Sequence, residues 1–469
     1  MANQNLLTYG LKVTQLKQDY YAPTLYLNGS SIPNESIYCF LSRVDPWTDD
    51  NNPPVPTQDQ AYIKNVFNNM FAAKKITASN ITPVVQRIDW TSGAIYDYYQ
   101  DNVDMFTTNS SGLLIKTFYV KNRYDQVFKC LWNNINPLTG LPGASTDEPF
   151  LQPGTYNTNN VFISPNDGYK WKYVYTIDIG NKTKFLDSVW MPVPVGNTTP
   201  NATTTFGTGS IDVINVTSGG SGYDVVNSPI TVTVVGANST AVTANVSSVQ
   251  VVGGVIKDIT VINPGANYIN ADVVITSVNS LMGSGATAIA PVSPIGGHGY
   301  DPISELGCNH IMFAVEFNAD EGGYIPTDID YRQVGLLVNP MDSSTNGATL
   351  ATNPVYDLTT NLQISSGVGT TFQSDELAQQ FDSKGNLLFS ATVLSFNSTT
   401  NLLRVINISG TPVNNAQIIG SISKASRVLL NTSPPTFMKF SGYISYIENR
   451  AGVQRSSDGI EQFKFVLSY

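Results

Sequence analysis

The chain has 469 residues, more than the ~250–300 at which a single hydrophobic core stops growing, so two or more modules are expected. Only 13% of the residues are charged, and 25 Lys and Arg against 35 Asp and Glu leave a net charge of -10 with no dense basic run, which argues against nucleic acid as a partner. Three scattered cysteines, Cys39, Cys130 and Cys308, offer neither a CxxC pair nor a disulfide framework; no signal-peptide pattern and no long apolar window is present, so the expectation is a soluble chain without membrane insertion.

Residues 1–200 hold all five tryptophans, Trp47, Trp90, Trp132, Trp171 and Trp190, among many Tyr and Phe, which predicts a large aromatic core. Helices are scarce. The clearest is predicted from Thr57, where Thr57 and Gln60 fit a capping box and Ile63, Phe67, Met70 and Phe71 recur at helical spacing. Further on, Pro165-Asn166-Asp167-Gly168 reads as a turn. After it Tyr169, Trp171, Tyr173, Tyr175 and Ile177 alternate with Lys170, Lys172, Val174 and Thr176, a strand with one continuous aromatic face.

The texture changes over 201–299, which lacks Trp, Arg and Glu and is rich in Val, Thr, Ser, Gly and Asn. Val-Thr-Ser-Gly-Gly-Ser-Gly-Tyr ending at Tyr223 returns 45 residues later as Val-Ile-Asn-Pro-Gly-Ala-Asn-Tyr ending at Tyr268. Each copy precedes a β-branched run, 230–235 and 273–278, so the segment is read as an inserted, repeated β-module. A third echo, Gly296-Gly297-His298-Gly299-Tyr300, closes it. Aromatic and charged residues return over 300–342, and a second Ser/Thr/Asn-rich stretch, 343–435, has apolar runs at 387–396 and 402–408 separated by turn sequences, which predicts a second inserted β-module of hairpins. In 436–469 the texture of the first block resumes, ending in Phe463, Phe465, Leu467 and Tyr469 at period two, a half-buried strand. The fold class expected is therefore mainly β: a layered β-sandwich core with a few helices, formed by 1–200, 300–342 and 436–469, plus two inserted small β-modules.

Chemistry is sparse. The two histidines, His298 and His310, have Asp301, Glu305 and Cys308 near them in sequence, but neither an HExxH helix nor paired CxxC turns accompanies them, so no metal site, cofactor or catalytic residue is expected. No Gly-x-Ser-x-Gly elbow marks a nucleophile. Gly219-Gly220-Ser221-Gly222 is not followed by Gly-Lys-Ser/Thr and reads as a turn between strands.

Several strings, in order and at similar spacing, resemble the baseplate wedge subunit family (gene-eight products) of T-even-type contractile-tailed bacteriophages. They are Ile37-Tyr38-Cys39-Phe40 leading to Arg43 and Asp45-Pro46-Trp47; Arg87-Ile88-Asp89-Trp90; Pro165-Asn166-Asp167-Gly168-Tyr169-Lys170-Trp171-Lys172-Tyr173; Tyr331-Arg332-Gln333-Val334 through Asn339-Pro340; and Tyr446-Ile447-Glu448-Asn449-Arg450. The resemblance covers roughly residues 7–200, 301–342 and 436–469, and departs from the family at Ala451-Gly452-Val453, where prolines often follow the last motif. It implies a non-enzymatic virion protein of the tail baseplate, a homodimer that also contacts other wedge subunits, and it brings no catalytic residues. The family-motif residues to examine as interface candidates are Arg43, Trp47, Arg87, Trp90, Asp167, Gly168, Tyr169, Trp171, Arg332, Glu448, Asn449 and Arg450. The alternative is a tail-associated carbohydrate-binding or glycan-degrading adhesin, which would be distinguished by an exposed cleft pairing aromatic side chains with two carboxylates. The 201–299 module is expected to be peripheral and removable.

Overall fold

The computed structural model describes residues 8–21, 35–136, 139–152, 161–196, 209–236, 245–279 and 282–469. The protein is mainly β: antiparallel sheets and one closed barrel dominate, with four short α-helices among the described residues. Two compact units form, one from 1–18, 82–312 and 466–469, the other from 19–81 and 313–465, so the division cuts across the aromatic block 1–200.

In the second unit a five-stranded sheet runs in the order Val355–Asp357, Met70–Ile76, Ile37–Ser42, Ile329–Val338, Tyr443–Arg455. All six residues of its central strand, Ile37–Ser42, are buried, which suits the unbroken run Ile-Tyr-Cys-Phe-Leu-Ser. Next to it a Cβ on Gly335 would lie 2.3 Å from the Tyr446 carbonyl and 2.5 Å from the Phe40 ring, so only glycine lets these strands close. The helix Gln60–Asn69 packs Val66 and Phe67 against Tyr38, Phe40 and Leu337 of this sheet. It departs from expectation at both ends. Its N-cap is Asp59, which accepts the Tyr62 N–H at 2.8 Å, while Thr57 donates its hydroxyl to Asp59 instead of capping. Met70 and Phe71 belong to the following strand, because at the C-terminal end the chain turns directly from the helix into the sheet core.

Within the same unit six strands close a barrel in the order Thr360–Ile364, Leu402–Gly410, Leu387–Asn397, Leu377–Phe381, Gln417–Gly420, Ser426–Ser433, the last pairing back onto the first. Inward side chains such as Leu362, Phe389, Val393, Leu403, Val405 and Leu429 fill it, so no unpaired sheet edge remains there. Phe463 of the C-terminal strand Ile460–Ser468 meets Phe317 edge to face at 5.8 Å, while Phe463 and Phe465 are buried and alternate with less buried neighbours.

The first unit holds a four-stranded sheet ordered Tyr119–Lys121, Gln126–Trp132, Lys170–Thr176, Val161–Ile163. Six of the seven residues of Lys170–Thr176 are buried, Lys170 and Lys172 included, so both faces of this strand are covered and not the aromatic face alone. What covers the lysine side is the glycine- and threonine-rich segment, of which 201–208, 237–244 and 280–281 lie outside the described residues. Its sheet runs Ile230–Val235, Asp272–Ser277, Ser284–Ile289, Asn215–Ser221, beside the hairpin Asn245–Val252 with Val255–Asn263. Tyr223 and Tyr268, the repeat-closing tyrosines, are buried in one core with Ile211, Ile214, Ile256 and Ile259.

Candidate functional site

The motif residues of the second unit join into one network, whereas those of the first unit make separate local contacts. In the second unit Arg43 reaches Asp330 at 2.7 Å and Asp375 at 2.5 Å, and Asp330 is shared with Arg332, whose other partner is Asp50 at 3.0 Å. Asp50 also accepts the Trp47 N–H at 3.0 Å, and the Trp47 indole donates to the Arg450 carbonyl at 2.9 Å. Arg450 in turn holds Glu448 at 2.5 Å and lies over the Phe463 ring. Asn449 accepts from the Tyr62 hydroxyl and the Gln333 amide, both at 2.9 Å, and donates to the Pro54 carbonyl at 2.7 Å. The sheet register explains the convergence: Val334 pairs with Leu41 on one side and Glu448 on the other, so three strings far apart in sequence lie on adjacent strands. At the departure from the family pattern, a Cβ on Gly452 would sit 2.9 Å from the Arg332 guanidinium, so the small residue makes room for that arginine.

In the first unit Arg87 forms a fork with Asp89, with Nη2 at 2.7 Å, and donates to the Asp187 carbonyl at 2.7 Å. Half-buried Trp90 donates its indole N–H to Ser145 at 3.0 Å. Asp167 caps its own turn by accepting the Tyr169 N–H at 2.9 Å, and also takes the amides of Thr146 and Asp147. Gly168 has φ +72°, and a Cβ there would lie 2.9 Å from the Asn134 side chain, so glycine is required twice over. Tyr169 donates to the Gly143 carbonyl at 2.6 Å and stacks on fully buried Trp171 at 5.4 Å. Within each unit, then, these side chains organise loops and strands. Arg43 and Arg450 do so through carboxylates, Arg87 through a carboxylate and a backbone carbonyl.

Sequence reading missed a set of buried ions in the first unit. Lys170 pairs with Asp258 at 2.8 Å and donates to the Ile214 carbonyl at 2.7 Å; Lys172 pairs with Asp212 at 3.3 Å. Lys129 pairs with Glu305 at 3.3 Å, with its ammonium 3.6 Å from the centre of the Tyr99 ring. Glu305 also contacts His298 Nδ1 and accepts the Gly299 N–H, both at 2.5 Å. Burial favours the neutral forms: it pulls Lys129 and His298 down, while Glu305, despite the same penalty, is brought to about 2 by Lys129, His298 and the Gly299 amide. Glu305 thus sits between the Lys129 amine and the His298 ring, with Nδ1 facing its carboxylate. His310 stands apart, its ring tilted against that of Trp190 with centroids 4.4 Å apart, and burial followed by the Lys12 charge lowers it to about 4. Asp301 pairs with Lys17 at 2.7 Å, and Cys308 is buried with its thiol on the Val84 carbonyl, so of the residues near the histidines in sequence Glu305 stays with His298 while Asp301 and Cys308 turn to other partners. The one signal of the buried ions in the sequence is lysine alternating with aromatics in a strand.

No protein-family model and no curated protein matches the chain.

Proposed function

We propose that the chain is a structural subunit of a contractile phage tail baseplate wedge, located in the virion, that works by protein–protein assembly as a homodimer and with other wedge subunits, without catalysis. The observation that carries this reading is the resemblance of five strings in order, joined to the geometry of three of them: 37–43, 331–334 and 446–450 lie on neighbouring strands, Arg43 and Arg332 share Asp330, and Trp47 links Asp50 of that group to the Arg450 carbonyl. Assembly proteins draw on interface burial, ~2,000–5,000 Å² for permanent contacts, and a rigid, densely cross-linked scaffold suits that task. The test is light scattering of the purified chain, followed by mixing with the other wedge subunits of the same tail. The expected particle is twice the 50.8 kDa chain mass, and it enters a wedge complex. A stable monomer that joins no wedge complex would overturn the proposal.

A further inference from the structure

The third echo of the repeat, Gly296-Gly297-His298-Gly299-Tyr300, has a structural use that assembly does not absorb. Its three glycines have φ of +85°, +87° and +82°, a backbone path that side-chain-bearing residues resist. A Cβ on Gly296 would stand 2.2 Å from the Tyr300 ring, so that ring rests on bare backbone. Hydrogen bonds from the Gly297 amide to Pro294 and from the Tyr300 amide to Gly297 close the loop. The result is a division of labour: His298 turns inward, 3% exposed, onto Glu305, while Tyr300 is held outward, 52% exposed.

Tyr300 borders a cavity of about 630 Å³ in the first unit, within the range of small-ligand sites. Buried Lys129 and Glu305 line it too, locked by Tyr99 and His298. The Lys129 and Glu305 side chains are both only 1% exposed, so they hold each other and neither reaches a ligand. The lining also includes Tyr9 stacked on Phe106 at 4.6 Å, and exposed Ile295. Among its carboxylates, Asp104 accepts the Phe106 amide and Asp301 is held by Lys17 and Ser304, whereas exposed Asp101 stands beside Gln100 in the lining.

The chemistry of this lining selects its ligand. Asp301 is paired with Lys17 and Glu305 with Lys129, so exposed Asp101 and Asp104 leave the lining net negative and disfavour an anion. A purely apolar molecule would cover Asp101 and Gln100 without replacing their water. A ring with an apolar C–H face and a rim of hydroxyls, each both donor and acceptor, meets both requirements. We propose that this cavity is a binding site for a neutral glycan residue, with Tyr300 and Ile295 against the C–H face and Asp101 and Gln100 taking hydroxyls. The site binds and cleaves no bond, and it stands independently of the baseplate reading.

The test uses the full chain and saturation-transfer NMR with chitotriose, maltotriose and mannotriose as neutral probes and sialyllactose as the anionic one, at roughly 10 mM so that a Kd near 1 mM is detected. Tyr300→Ala and Asp101→Asn change exposed side chains, and thermal melts verify that both variants keep the wild-type fold. The expected result is transfer to at least one neutral probe, weakened about tenfold or more by either variant, with sialyllactose bound less well. Absence of transfer to every neutral probe, neutral binding untouched by both variants, or a preference for sialyllactose overturns the proposal.

Discussion

Replacing Asp212 with asparagine isolates the consequence of folding the glycine- and threonine-rich segment onto the aromatic strand. Asp212 and Lys172 have side chains only 2% exposed, their charges meet at 3.3 Å, and neither carboxylate oxygen of Asp212 has a hydrogen bond of good geometry. The pair therefore contributes Coulomb attraction in a poorly solvated place, and removing the negative member takes that attraction from a buried lysine. Breaking a buried pair in this way costs about 3–5 kcal/mol. At about 2–4 °C per kcal/mol for a unit of this size, melting should fall by roughly 6–20 °C. Tryptophan fluorescence is the suitable probe, because Trp90, Trp132, Trp171 and Trp190 all lie in the first unit and only Trp47 in the second. The double replacement Asp212→Leu with Lys172→Met should recover most of the loss, since a well-packed apolar pair needs no compensating charge. A melting curve for Asp212→Asn within about 1 kcal/mol of wild type, or a double variant as unstable as the single one, would refute the reasoning. The same geometry reverses the expectation that 201–299 is removable: excision takes away Asp212 and Asp258, the partners of both Lys172 and Lys170, and the remainder should lose cooperative unfolding.

Glu305 should govern part of the acid sensitivity. Its folded pKa of about 2 lies below the ordinary 4.5, so its contribution is fully present above about pH 4.5 and is lost as pH falls toward 2; the stability difference between wild type and Glu305→Gln, from urea melts at several pH values, should be largest near neutrality and shrink across that window. His310, lowered to about 4, must instead gain a proton more readily when unfolded, so His310→Asn should flatten the stability decline between about pH 6.5 and 4. In the barrel, buried Glu376 accepts from the Gln373, Ile422 and Ser423 amides and the Ser423 hydroxyl at 2.7–2.9 Å; Glu376→Gln should cost about 2–4 kcal/mol by setting a donor NH2 against backbone N–H groups that cannot accept, read as early hydrogen exchange in 360–433.

Local chemistry was written plainly along the chain. The Pro165-Asn166-Asp167-Gly168 turn, the strand Ile230–Val235, the hairpin Leu387–Asn397 with Leu402–Gly410 and the alternation of Phe463 and Phe465 each depend on neighbours a few residues away, and each is found where pattern and turn residues put it. The Thr57 cap failed because Asp59, two residues on, is a stronger acceptor for the first free amides, a competition that spacing alone does not rank. Beyond that range the sequence is silent. Lysines at 170 and 172 look like the solvent side of a strand until Asp258 and Asp212, some 40 to 90 residues away, arrive opposite them. The union of Arg43, Arg332 and Glu448 likewise depends on strand register, and the Tyr300 cavity on how the 294–301 loop meets 99–106. Backbone preference and side-chain periodicity act through adjacent residues, whereas charge neutralisation, closure of a barrel and the shape of a cavity depend on which distant segments exclude water together, and only the tertiary structure decides that.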